Sequence, residues 1–322
     1  MRVLDSHLHL WDPEILHYSW LEGPLAWRFA DTEIDHARIT RATTEHAVFV
    51  QAGTDDEDFL AEVQWVASLA PAIGVTGIVA GARLDRGTDT TAHLEGLETE
   101  PLVVGVRQIL QDEADGLAVS AGFITGAREV AARGWTFDAC IREAQLPEIS
   151  RLAAAVPELR IVLDHLGKPA VGTAGAPVGP SPEWVRDLDD LARHPQVSCK
   201  LSGLPAEAGG DWTAAQLVPF LDAAADAFGG DRLMWGSDWP VSVIGPAEAG
   251  DPHAPEDGSA TYQPHARDRW AETVIDWAQA RGHDLDALFW RNAEEFYGLG
   301  RRRAQDADES PRRGILGWLL GD

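Results

Sequence analysis

Short apolar runs recur along this chain and alternate with longer Ala- and Leu-rich stretches of helical period. Eight runs read as strands, at residues 3–9, 47–52, 77–84, 102–110, 137–142, 160–165, 197–201 and 233–235. Helical patterns lie between them, for example at 56–70, 126–132, 145–155, 182–194 and 213–228. Pro147 falls in the first turn of its predicted helix, where a missing N–H costs little. Strands alternating with helices imply a parallel sheet. Eight such units within 322 residues predict a (β/α)8 TIM barrel, one α/β domain over 1–299 followed by a tail at 300–322. A doubly wound sheet fits less well, because no Gly-rich dinucleotide loop follows the first strand.

Two connections are long, 11–46 after strand 1 and 241–268 after strand 8. The first carries Trp11, Tyr18, Trp20 and Trp27; the second is rich in Pro, Gly, Asp and His. On a barrel both rise from the catalytic face, as functional loops do. The tail ends in an apolar stretch with Trp318, Leu319 and Leu320, which suits either docking onto the barrel or association of copies into a homo-oligomer.

The net charge of −26 argues against nucleic acid and anionic membranes as partners and predicts a solvated acidic surface. No run approaches membrane-spanning length. Polar Asp5 and His7 interrupt any export signal after Arg2, and two cysteines, Cys140 and Cys199, form no framework. A reduced, cytoplasmic protein is the expectation. Only two lysines occur, Lys168 and Lys200, and both fall at predicted strand ends.

The chemistry concentrates at those ends, where barrel enzymes hold their catalytic groups. His7 and His9 lie two apart on the first strand; alternation points Asp5, His7 and His9 the same way, and two converging imidazoles make half a metal site. The second strand ends in Gln51, the fourth carries Arg107, the sixth His165 and Lys168, the seventh Lys200 and Ser202, the eighth Asp238. Trp11 and Trp239 flank polar candidates and would shield a site from water. Each residue also has a structural reading: hydrogen-bonded core histidines, buried ion pairs, a turn-forming Asp238, a packing role for the tryptophans.

The segments DSHLHLWD, VQA, VRQIL, FDACI, LDHLGKP, CKLSGL and GSDWP, in order between Asp5 and Leu299, resemble the amidohydrolase superfamily. Within it they are similar to the lactonase branch of L-fuconolactonase, L-rhamnonolactonase and 2-pyrone-4,6-dicarboxylate lactonase. The resemblance implies a hydrolase that opens a small-molecule lactone. His7, His9, His165 and Asp238 match active-site positions; Arg107 and Lys168 match positions that hold a substrate carbonyl or carboxylate; Lys200 matches the seventh-strand motif. Gln51, Trp11 and Trp239 complete the expected substrate-binding set.

The fifth strand, TFDACIR, lacks the histidine common in mononuclear members, and the fourth offers Arg107 and Gln108 where a binuclear centre needs a bridging Lys or Glu. Two metals are therefore not expected. One divalent ion, zinc first, would take His7, His9 and Asp238, with His165 as a further ligand. The alternative is a metal-free site in which the imidazoles, Arg107 and Lys168 stabilise the oxyanion. Asp238 is the expected general base in either case. Two other functions compete: a metal-dependent decarboxylase of an aromatic or unsaturated acid, and a catalytically silent barrel that binds a partner.

Overall fold

The computed structural model describes residues 1–246 and 260–300. Eight parallel strands form its central sheet in sequential order: β1 (Arg2–Leu8), β2 (Thr44–Val50), β3 (Val75–Gly81), β4 (Val103–Ile109), β5 (Thr136–Cys140), β6 (Arg160–Leu163), β7 (Val197–Leu201) and β8 (Leu233–Trp235). Their Val-, Ile- and Ala-rich sequences are buried on both faces, which suits a parallel sheet sheathed by helices. The ring closes between its ends. Asp238 N–H donates to the His7 carbonyl at 2.8 Å, and His9 N–H to the Trp239 carbonyl at 2.8 Å.

Observed strands shift from the predicted ones by only a few residues, and the predicted helices form with local stop and start signals. The helix Pro182–Ala192 opens on Ser181, whose Oγ accepts from Trp184 N–H at 3.0 Å, with Pro182 in the first turn. Ala214–Phe228 opens on a capping box between Thr213 and Gln216. Ala121–Ala132 begins five residues before its predicted start, because Ser120 caps it by accepting from Phe123 N–H. The barrel floor is closed by the last described helix, Asn292–Tyr297. Tyr297 and Leu299 pack against the inward-facing Leu4, Val48, Val79 and Val104.

One expectation fails instructively. Asp5 does not share a face with His7 and His9. A β-bulge shifts the β1–β2 register between Asp5 and Leu8, so that Asp5 pairs with Ala47 while Leu8 pairs with Phe49. The extra residue flips the alternation. Asp5 turns instead toward the buried Arg267 of the helix His265–Arg281, at 3.0 Å, and accepts from the His7 and Ser237 N–H groups. The long loop after β1 is present; of the one after β8, residues 247–259 lie outside the described residues, as does all of the tail beyond Gly300.

Candidate active site

The side chains at the carboxyl end of the barrel converge on one carboxylate oxygen. Asp238 Oδ1 lies 3.4 Å from His9 Nε2, 3.6 Å from His165 Nε2 and 3.8 Å from His7 Nε2. Its other oxygen accepts from Ser242 Oγ at 2.7 Å. Two backbone positions deliver this geometry at a cost. Asp238 and His165 have φ of 55° and 53°, in the left-handed region that a non-glycine residue rarely occupies. Gly203 and Gly236 leave the room: a Cβ on Gly203 would sit 2.4 Å from the His165 ring, and one on Gly236 2.7 Å from His7 Cβ.

Each imidazole is oriented through its second nitrogen. His9 Nδ1 faces the Val50 carbonyl at 2.8 Å, so the neutral ring donates there and keeps the Nε2 lone pair. His165 Nδ1 meets Ser202 Oγ at 2.9 Å. His7 Nδ1 sits between Lys200 Nζ at 2.9 Å and Asp164 Oδ1 at 3.2 Å. His7 and His9 Nε2 are 3.1 Å apart. Lone-pair nitrogens and a carboxylate oxygen crowded around one point fit a cation. Among the described residues two groups have this character, His7 with His9 and Asp238, and His7 with Asp164 and His165.

Burial keeps the imidazoles neutral at physiological pH. It pushes His165 down to about 4, holds His9 below its ordinary value, and with the Lys200 charge holds His7 well below. Burial opposes ionisation of Asp238, but the surrounding imidazoles, His165 foremost, outweigh it and hold the carboxyl well below the usual carboxylate range. Beneath the site lies a buried charge cluster. Lys200 Nζ bonds Asp138 Oδ2, lies 3.1 Å from Asp164 Oδ1, and Asp138 also accepts from Tyr297 Oη at 2.9 Å. Burial raises Asp138 to about 6 despite Lys200, whereas Lys200 and His7 draw Asp164 well below the normal range against the effect of burial.

A cavity of about 320 Å³ opens over this arrangement. His9, His165, Asp238, Arg107 and Lys168 line it, so five expected site residues meet at one wall. Arg107 reaches Asp164 at 3.3 Å and His7 Nε2 at 3.4 Å, and donates to the Gln51 carbonyl. Among the described residues its Nε is buried without a hydrogen-bond partner. Four expected substrate contacts lie elsewhere. Lys200 is fully buried below His7. The Gln51 side chain folds back onto Gly53 N–H. Trp11 packs edge-on against Trp20 and Phe29, and Trp239 against Phe29, inside the loop core.

Asp164, Asp138, Tyr297 and Glu207 were not singled out by sequence reasoning. Asp164 directly precedes His165 within LDHLGKP, and Asp138 takes the fifth-strand position examined only for a histidine. Trp20, known from sequence as a loop aromatic, lines the cavity with its Nε1 donating to the Ala52 carbonyl at 2.8 Å.

A family profile described as "Amidohydrolase" matches residues 4–299. The chain belongs to the amidohydrolase family. An L-fucono-1,5-lactonase of Burkholderia multivorans is 33% identical over 314 residues, covering 92% of this chain and 96% of the relative. An L-fucono-1,5-lactonase of Burkholderia ambifaria is 32% identical, covering 75% and 81%. Among solved structures, an amidohydrolase from Burkholderia multivorans with bound zinc superposes at a TM-score of 0.73 with 28% identity, over 93% of this chain and all (100%) of that one. This amidohydrolase is thus an α/β barrel with a metal-competent histidine–aspartate cluster at its mouth, and no described helix is long and apolar enough to cross a membrane.

Proposed function

We propose that this amidohydrolase opens sugar-acid lactones by hydrolysis. The observation that carries the reading is the placing of one ionised carboxylate, Asp238, among neutral imidazoles at the floor of a cavity that also holds Arg107 and Lys168. The similarity to two L-fucono-1,5-lactonases supports the choice of substrate.

The reaction adds water across the ring ester. The Asp238 carboxylate takes a proton as the water oxygen bonds to the lactone carbonyl carbon. Negative charge then grows on the carbonyl oxygen, beside the Arg107 guanidinium and the Lys168 ammonium that line the cavity. The tetrahedral intermediate collapses by breaking the bond to the ring oxygen, which receives the proton held by Asp238. The environment that makes Asp238 acidic favours this return. Ser242 Oγ, bonded to Oδ2, holds the carboxylate in orientation. The product is an open hydroxy acid, which ionises at neutral pH.

His7, His9 and Asp238 are the residues we assign to a divalent ion, zinc first, with His165 beside them. When bound, such an ion supplies Lewis acidity toward water and the carbonyl.

A panel of aldonolactones assayed with a pH indicator tests the reading. We expect acid release without gas. Carbon dioxide from an unsaturated or aromatic acid, with every lactone inert, would replace it by the decarboxylase reading. Elemental analysis of chelator-treated protein decides the ion: full activity with no divalent metal remaining would dismiss zinc.

A further inference from the structure

The cavity wall facing Lys168 carries a carboxylate that neither the fold nor the proposed chemistry uses. Glu207 ends the short helix Leu204–Glu207 that follows β7 and lines the cavity with Lys168 and Asp238. Among the described residues no hydrogen bond or ion pair reaches its carboxylate. Among the described residues Lys168 has one side-chain hydrogen bond, to Gln111 Oε1. An acceptor and a donor therefore line one small chamber without satisfying each other. Buried or half-buried polar groups left open in this manner are completed by a ligand or by water.

Charge decides which ligand. Asp112 on the lining is paired with Arg142 at 3.0 Å and Arg107 with Asp164 at 3.3 Å, which leaves Glu207 and Lys168 as the open charges of that wall. A ligand carboxylate seated against Glu207 would meet a like charge at close range. A neutral ring bearing hydroxyls would not: its O–H groups can donate to Glu207 while its oxygens accept from Lys168.

We infer that Glu207 is a specificity-determining residue that binds the hydroxyl groups of a neutral polyhydroxylated lactone and turns away lactones bearing carboxylates. This rests on the lactonase reading above and deepens it. Burial raises the Glu207 carboxyl above its ordinary value, while Lys168 pulls the other way and keeps the charged form accessible. Glu207 touches none of the groups that move a proton, so its contribution falls on binding rather than turnover.

The test compares wild type with Glu207→Gln, which preserves size and removes charge, and with Glu207→Ala. Calorimetry measures two ligands that cannot be hydrolysed: a polyhydroxylated δ-lactam, as the neutral ring, and isophthalate, as a planar dianion. We expect the lactam to bind about 10-fold more weakly to either variant, the lower end for a hydrogen bond to a charged group. Isophthalate should bind several-fold more tightly to Glu207→Gln. With a hydrolysed aldonolactone, KM should rise by a similar factor with kcat within about 2-fold. Unchanged lactam affinity in both variants overturns the inference, as does a wild type that binds isophthalate and not the lactam. A wild type that binds the lactam through Glu207 and hydrolyses no lactone would overturn the lactonase reading while upholding Glu207 as a hydroxyl-binding residue.

Discussion

The chain's two lysines occupy opposite surroundings at the same end of the barrel. Lys200 is fully buried and engages Asp138, Asp164 and the Nδ1 of His7. Lys168 is half-buried, has a φ of 55°, and among the described residues makes its one side-chain hydrogen bond to Gln111. One is locked into a network in which each charge has a partner; the other is held at a wall with valences to spare. The contrast divides the site into a lower tier that orients the imidazoles and an upper tier that lines the cavity. Chemistry needs the first to be rigid, because a misplaced base loses rate steeply. Recognition needs the second to be unfinished, because a group already satisfied gains little from a ligand.

Substitution at the boundary between the tiers should have the largest effect. Asp238→Asn keeps the shape and removes the base, and we expect turnover of a cognate lactone to fall at least about 100-fold, with KM changing far less. Near-wild-type turnover would take Asp238 out of that role and erase the division. The lower tier is breakable through stability. Lys200→Met leaves Asp138 and Asp164 buried without their shared cation, a loss of about 3–5 kcal/mol, read by urea denaturation. A variant as stable as wild type would show that the network is dispensable.

The smallest effect sharpens the upper tier. Glu62 supports the cavity rim from behind, its Oε1 accepting from Ala52 N–H at 3.0 Å, and burial pushes its carboxyl up to about 8. The folded state therefore holds a proton that the unfolded chain releases near 4.5. This contribution to stability is complete below the unfolded value and is lost as pH rises through about 8. Glu62→Gln should flatten that part of the profile of melting temperature against pH. An unchanged slope would assign it to another group.

Much of this was legible in the sequence, and the reasons differ by residue. The barrel was readable because each strand is a short apolar run with turn chemistry at its end. Asp238, His165 and Arg107 were readable because position at a strand's end is itself the signal. Asp5 misled, since a bulge depends on how two strands register and leaves no mark on alternation. Lys200 and Gln51 were legible as polar residues at strand ends, but not their partners, because Lys200 turns to Asp138 and His7 and Gln51 folds onto Gly53 through contacts that strand position does not encode. Tyr297 was invisible: its bond to Asp138 joins residues 159 apart through the barrel floor. Glu207 lay on a short helix with no periodic signal at all.

The seam between β1 and β8 has a consequence for biogenesis. The histidine pair emerges with the first strand made, and its carboxylate partner arrives with the last. On the role proposed for Asp238, any fragment that stops ahead of it would carry imidazoles without the base and should hydrolyse no lactone, however native its helices. Regain of hydrolysis during refolding would thus clock the final docking of the ring, and helical signal the earlier collapse.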